Sequence, residues 1–209
     1  MSSDKFRIIE VKKHNKDELI SKLREVTMLL DPKAYPYRDA DIELRKVSFA
    51  EAIPAQRYVL GSELRKVQRL RWELESRGID LYALNGYVTI RTDMSDDLID
   101  VLPPIVEVSV EANGSPVSII NDGMHRMYVA RLEWRLPEVV YIKNVPEEYP
   151  YYAFPIPDGD WREVKIIDGD VIPEGFIKKW HRISDNKLLY RNFNSSFENV
   201  GGPRGQGKK

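Results

Sequence analysis

Two apolar segments joined by a tight turn constrain the fold of this 209-residue chain more than any other feature of its sequence. Residues 105–111 and 117–121 flank Asn113-Gly114, and both members of such a pair readily adopt the positive φ of a two-residue hairpin turn. The first segment alternates between Val106, Val108 and Val110 on one face and Glu107, Ser109 and Glu111 on the other. The pattern predicts a β-hairpin whose first strand is half-buried.

The hairpin is followed directly by a helical pattern. Asp122-Gly123 interrupts the second strand, and apolar residues then recur at helical spacing over residues 125–135. Residues 139–142 form another short apolar strand. Strand, hairpin, strand, tight turn, helix and strand in this order predict an α+β fold, in which a small mixed sheet has flanking helices.

Four further elements are predicted, three of them from local signals. Asn15 and Glu18 form a capping-box pattern at the start of a helix, and Ser62 is a suitable N-cap for another, with Gly78 beyond its end. A second Asn-Gly pair, at residues 85–86, predicts another hairpin. The predicted elements are a helix over residues 15–30, a strand over 42–47, a helix over 62–77, and a hairpin with arms at 81–84 and 87–90.

Composition along the chain predicts a central domain with extensions. Residues 41–145 contain the α+β pattern, and residues 1–40 form an N-terminal helical extension. Residues 146–200 are rich in proline and aromatic residues, which predicts an extension that wraps around the domain. Residues 201–209 are Gly-rich and basic, which is typical of a flexible tail.

Overall composition excludes several classes of protein. The chain has no cysteine, so it cannot form a disulfide, a zinc–thiolate site or a thiol nucleophile. Its 32 Lys and Arg residues balance 33 Asp and Glu residues, so it lacks the global basic field of a dedicated nucleic-acid binder. A polar N-terminus and the absence of an apolar run of about 20 residues predict a cytoplasmic protein with no membrane partner.

The strand-to-helix turn at Asp122-Gly123-Met124-His125-Arg126 is the strongest candidate site. The first turn of a helix presents unpaired N–H groups and the positive end of the helix dipole, which favour a phosphate. Arg126 has the planar donor geometry that matches phosphate oxygens, and His125 can donate to phosphate or transfer a proton. The alternative is a plain Asp-Gly turn with a helix cap and two solvated side chains.

These residues resemble the Asp-Gly-x-His-Arg signature of the ParB/sulfiredoxin-like superfamily. The resemblance covers residues 104–145, where Pro104-Ile105-Val106 is similar to the strand before the hairpin of that superfamily. It is weaker over residues 47–78, where Ile53-Pro54-Ala55-Gln56-Arg57 resembles the Asn-Pro-x-Gln segment of partition proteins. The resemblance implies a ParB/sulfiredoxin-like fold.

Within that superfamily, the chain is most similar to the free serine kinases. Sulfinic-acid repair is excluded because Met124 stands where sulfiredoxins have cysteine, and the Pro-rich segment after the motif does not suit a DNA clamp with a helix-turn-helix domain. The kinase resemblance implies ATP or another nucleotide with Mg²⁺ as cofactor. It also implies Glu51, His125 and Asp122 as catalytic residues, phosphate contacts from Gly123, Met124, His125 and Arg126, and no metal ligand from the chain.

Other charged residues have a simpler interpretation. Glu107 and Glu111 lie on the polar face of the predicted strand and are expected to be exposed. His181-Arg182, with Lys178 and Lys179 before it, and the basic face of the 62–77 helix are expected to be solvated surface.

Two classes of function follow from the motif. One is a nucleotide-binding enzyme, an NTP hydrolase or phosphotransferase that acts on an unidentified small-molecule acceptor, because positioning and charge stabilisation suffice for phosphoryl transfer. The other is a non-catalytic adaptor that senses a nucleotide or associates with nucleic acid, and the balanced charge does not favour the nucleic-acid version. The sequence alone does not separate an active site from a binding site.

Overall fold

The computed structural model describes residues 6–111, 113–168 and 172–200, and the predicted tail at 201–209 lies outside them. The α-helices are α1 (Lys16–Arg24), α2 (Gly61–Glu75) and α3 (Met124–Leu132). The strands are β1 (Ile8–Asn15), β2 (Thr27–Met28), β3 (Asp41–Lys46), β4 (Tyr58–Leu60), β5 (Gly86–Thr92), β6 (Ser95–Val101), β7 (Ile105–Val110), β8 (Pro116–Asp122), β9 (Glu138–Lys143), β10 (Lys165–Ile167) and β11 (Arg191–Asn192).

A four-stranded mixed sheet lies at the centre, in the order β3-β9-β7-β8. β7 and β8 form the predicted hairpin, β9 is parallel to β7, and β3 is antiparallel to β9. Alternate residues along β7 and β9 belong to two different apolar clusters, one on each face of the sheet, and helices pack against both faces. Val106 and Tyr141 pack with α2 and α3, whereas Ile105 and Ile142 pack with α1. The α+β architecture, a small mixed sheet with flanking helices, is confirmed.

The second predicted hairpin is wrong. Asn85-Gly86 leads into β5, which pairs with β1 on one side and with β6 on the other. The hairpin connection instead lies between Thr92 and Ser95. Gly86 is opposite Asn15 in the β1–β5 pair, and a Cβ at Gly86 would overlap the carbonyl oxygen of His14. The glycine therefore permits close approach of two backbones instead of a turn.

The helix signals are only partly correct. Asn15 and Glu18 form the predicted capping box, but α1 ends at Arg24 rather than at residue 30, because Thr27 and Met28 pair with β11. Helix α2 begins at Gly61 with Leu60 at its N-cap, so Ser62 is not the cap. Helix α3 begins at Met124 and ends at Leu132, three residues before its predicted end.

Both extensions share the hydrophobic core with the central residues. From the N-terminal side, Leu19 and Leu23 pack with Ile105 and Val140, and Phe197 from the C-terminal side joins the same cluster. Trp161 is buried in the cluster between the sheet, α2 and α3. The domain boundaries at residues 40 and 145 stay a prediction, but the apolar packing crosses both of them.

The prediction that Glu107 on β7 is exposed is wrong, because Glu107 is only 1% exposed. It forms an ion pair with the fully buried guanidinium of Arg191. Tyr37 donates its hydroxyl to Glu107 Oε2 at 2.8 Å, and Asn121 donates its amide to the same oxygen at 2.8 Å. Burial raises the pKa of Tyr37, which keeps this hydroxyl protonated. The four side chains form a buried cluster, here called the Glu107 cluster.

Candidate functional site

The predicted strand-to-helix turn is present. Strand β8 ends at Asp122, Gly123 adopts the left-handed conformation with φ 82°, and α3 begins at Met124. A Cβ at Gly123 would lie 2.8 Å from Pro104 Cα, so neither the backbone conformation nor the available space suits another residue. The motif glycine therefore lets the turn pack against the start of the β7 hairpin.

Arg126 is directed inward, whereas an arginine that binds a phosphate at this turn would be expected to be open to solvent. Its Nη2 lies 2.6 Å from Asp122 Oδ2, its Nη1 donates to the carbonyl oxygen of Leu102, and only 13% of its side chain is exposed. The Asp122 side chain is 30% exposed. Since both terminal nitrogens of Arg126 already have partners within the protein, Arg126 stabilises the turn and is not available to bind a phosphate through two parallel hydrogen bonds.

His125 connects the motif to a second strand-to-helix turn. The backbone N–H of Leu60, at the junction of β4 and α2, donates to His125 Nε2 over a long 3.4 Å hydrogen bond. Burial lowers the pKa of His125 to about 4, and Lys178 acts in the same direction while Glu63 opposes it. His125 is therefore neutral at pH 7, with Nε2 as an acceptor.

The two turns bring together the N-termini of α2 and α3. The N-cap residues are Leu60 and Gly123, and neither supplies a side-chain cap to its helix. The first-turn N–H groups of both helices are therefore not capped by the side chains of their own N-cap residues, and the His125–Leu60 contact holds the two ends together. The carboxylate of Asp168 lies against the α2 end, 2.9 Å from where a Cβ of Gly61 would be.

The second turn was missed from the sequence. Its signal is the apolar run at residues 58–60 directly before Gly61-Ser62, which is the same strand–glycine–helix order as in the motif. With Ser62 predicted as the helix cap, the helix was expected to begin one residue later, and this order was not recognised.

Glu51 lies elsewhere among its own partners. It forms an ion pair with Arg45, whose guanidinium lies 3.8 Å from the ring centre of Tyr141. Among residues 6–111, 113–168 and 172–200, no hydrogen bond or ion pair joins Glu51 to Asp122 or His125. Its role as a catalytic residue stays a prediction that the geometry does not support.

The remaining charged candidates have local partners. Glu111 forms an ion pair with Arg182, and both side chains are mostly buried, so Glu111 is not the exposed strand residue that was predicted. His181 Nδ1 contacts the amide of Asn186 at 2.9 Å. The basic face of α2 is largely neutralised, since three of its cations pair with carboxylates: Lys66 with Glu63, Arg69 with Glu73, and Arg71 with Glu75. In the described part of the chain, no group of three or more His, Asp or Glu residues could hold a metal ion.

Comparison with known proteins assigns the family. The chain belongs to the ParB CE domain family, whose sequence model matches residues 18–165. The match includes the motif turn, the second turn and three of the four residues of the Glu107 cluster, which are Tyr37, Glu107 and Asn121. No curated protein and no solved structure matches the chain significantly. Among the described residues, no helix has the length and apolar character needed to cross a membrane.

The lowered pKa of His125 predicts a loss of stability in acid. The ordinary pKa of histidine is 6.5 and that of folded His125 is about 4, so between these values the unfolded chain binds a proton that the folded protein does not. The free energy of unfolding should therefore fall as the pH drops from 6.5 to 4, by up to roughly 3 kcal/mol from this group. Urea unfolding of wild type and His125→Gln at pH 7 and pH 4.5 measures this contribution. Equal losses in both proteins would show that His125 is not the cause.

Proposed function

We propose that the paired N-termini of α2 and α3 bind the phosphate groups of a nucleotide. The observation that carries the proposal is the meeting of two helix ends, neither capped by the side chain of its own N-cap residue, at the contact between His125 and Leu60. Each end presents backbone N–H groups and the positive end of a helix dipole, which are suited to an anion. Lys178, whose charge acts on His125, adds a cation at the same place. A ParB/sulfiredoxin-like fold and a cytoplasmic location are parts of this proposal.

The position of Asp168 supports an anion site at α2. An aspartate on the segment after β10 places its carboxylate against the first residue of α2, where a bound phosphate would also be stabilised. A bound phosphate would be repelled by this carboxylate or would displace it. Asp168 therefore lowers the affinity of the proposed site.

A binding module is favoured over an enzyme. A general base works best when its pKa is near the operating pH, whereas the pKa of His125 is about 4. Asp122 is engaged by Arg126, and Glu51 by Arg45. ATP with Mg²⁺ is the first ligand to test, and the ion would be held mainly by the phosphates. Hydrolysis or phosphoryl transfer remains the alternative, which a turnover assay separates from binding.

Nucleotide binding is tested by thermal unfolding with and without Mg²⁺. A ligand specific for the folded protein raises the melting temperature, by about 2.7 kcal/mol of stability at a concentration 100-fold above Kd. Lys178→Glu should weaken nucleotide binding by reversing a charge near the two helix ends, whereas Asp168→Asn should strengthen it. Lys13→Glu, on exposed β1 of the three-stranded sheet, is the matched charge control and should bind as wild type does.

The two variants are expected to act in opposite directions. If no nucleoside triphosphate or diphosphate stabilises the wild type, the proposal is wrong. If nucleotides bind but Lys178→Glu and Asp168→Asn leave the affinity unchanged, the nucleotide binds somewhere else. Release of inorganic phosphate from ATP by wild type would favour the enzyme over the binding module.

A further inference from the structure

A second feature of the C-terminal extension is a cleft of 550 Å³ beside the start of β4. This volume lies in the range of small-molecule and nucleotide pockets. Its lining shares no residue with those named for the paired helix ends. Its lining includes Arg57, Arg162, Glu163, Lys165, Phe176 and Trp180.

The aromatic residues of this cleft are exposed and lie next to cations. Trp180 is 44% exposed and Phe176 is 40% exposed. The guanidinium of Arg57 lies 4.1 Å from the ring centre of Trp180, and Lys165 Nζ lies 5.7 Å from that of Phe176. Each ring therefore has a cation over one face, and the rest of its exposed surface is available to a ligand.

The charge of the lining favours an anion. The lining contains three cations and one carboxylate, Glu163, which pairs with Arg57 at 3.2 Å. Arg162 pairs with Asp160 at 2.6 Å, so the positive charge of the lining rests on Lys165. Lys165 has no ion pair with any residue in the described ranges. A ligand with acceptor atoms and flat rings would match both the charges and the aromatic surfaces.

The geometry points to a binding site for single-stranded nucleic acid in this cleft. Unpaired bases stack on aromatic side chains while the phosphates between them contact Lys and Arg, and this cleft holds two exposed rings together with Lys165. Duplex nucleic acid does not fit, because its bases are already stacked on one another and are not free to cover Trp180 or Phe176. An acidic peptide would satisfy the cations but would leave the aromatic surfaces without flat partners.

Fluorescence anisotropy of a labelled oligothymidylate at low ionic strength tests this inference. The wild type should bind, and affinity should fall as salt is added because phosphate contacts release counterions. Trp180→Ala should weaken binding roughly tenfold, the order of effect of losing one base–aromatic stack. Trp72→Ala is the matched control, since Trp72 is 55% exposed and also lies beside an arginine, Arg69, but is outside the cleft.

A charge variant provides an independent measurement if Trp180→Ala folds poorly. Lys165→Glu changes an exposed side chain and should weaken binding severalfold while making the salt dependence less steep by about one phosphate contact. Lys13→Glu should have no effect. Absence of oligothymidylate binding, or equal affinities of wild type, Trp180→Ala and Lys165→Glu, would overturn the inference. A duplex of the same length that binds as tightly, or polyglutamate that displaces the oligonucleotide at equal charge, would also overturn it, the latter in favour of an acidic protein partner.

Discussion

Replacing Arg191 by alanine is expected to destabilise the protein by about 3–5 kcal/mol, the cost of leaving one partner of a buried ion pair uncompensated. The Arg191 side chain is fully buried and Glu107 is 1% exposed, so water cannot replace the lost partner. Arg191 also donates to three backbone carbonyls, which would lose their donor: those of Tyr149 at 2.6 Å, Leu189 at 2.8 Å and Pro150 at 3.3 Å. Urea unfolding at pH 7 measures the change.

Two comparisons make this prediction specific. Arg91→Ala removes an exposed pair with Glu10, whose nitrogen and oxygen are 2.8 Å apart, and should cost less than about 1 kcal/mol. The double variant Glu107→Leu with Arg191→Met should be less destabilised than the sum of the two single variants, because no buried charge is then left alone. A small effect of Arg191→Ala, similar to that of Arg91→Ala, would mean that the Glu107 cluster is hydrated in solution.

The Glu107 cluster also shows why the sequence could not predict the environment of β7. Alternation of Val and Glu along a strand identifies two faces, but it does not show what covers the second face. The covering residues are Tyr37, before the sheet begins, and Arg191, which is 84 positions beyond Glu107. Such long-range partners are set by tertiary packing, so a buried glutamate and an exposed one have the same local sequence signal.

Local signals were sufficient where one or two residues determine the backbone. The hairpin at Asn113-Gly114, the Asn15 capping box and the Gly123 turn are present. The hairpin turn differs from the two-residue turn that was predicted, because Glu111 pairs with Ser115 across it and φ is positive at Gly114 but not at Asn113. Asn85-Gly86 had the same local signal as Asn113-Gly114 but forms no hairpin. The strand that begins at this dipeptide, β5, pairs with β1 instead of with the residues just before it. The difference lies in a partner strand that precedes the dipeptide by about seventy residues in sequence, which a local pattern does not contain.

The candidate site was predicted in position but not in the role of each side chain. The turn lies between β8 and α3, as the motif indicated, and His125 is in the first turn of the helix. Arg126 was assigned to phosphate because of its chemistry, yet the structure uses the same donors on Asp122 and on the Leu102 carbonyl. Sequence shows which groups are available, whereas only the fold shows which of them are already engaged.

Replacing Gly123 by alanine is expected to destabilise the protein by about 2–5 kcal/mol. The left-handed conformation costs a residue with a Cβ about 1–2 kcal/mol, and the collision with Pro104 adds an overpacking cost of about 1–3 kcal/mol. The added Cβ would lie 2.8 Å from Pro104 Cα and 3.0 Å from Arg126 Nη2, so either the backbone or the Asp122–Arg126 pair must move. Thermal and urea unfolding measure the total cost.

Gly114→Ala separates the two causes within the same chain. Gly114 has φ 80°, almost the same as Gly123, but a Cβ there would have no atom within 4 Å. Its substitution should therefore cost only the conformational part, about 1–2 kcal/mol. If Gly114→Ala and Gly123→Ala destabilise the protein equally, the packing against Pro104 is not a constraint. If Gly123→Ala costs more and also abolishes the stabilisation by nucleotide while Gly114→Ala retains it, the close approach of the turn to Pro104 is what aligns the N-terminus of α3 for binding.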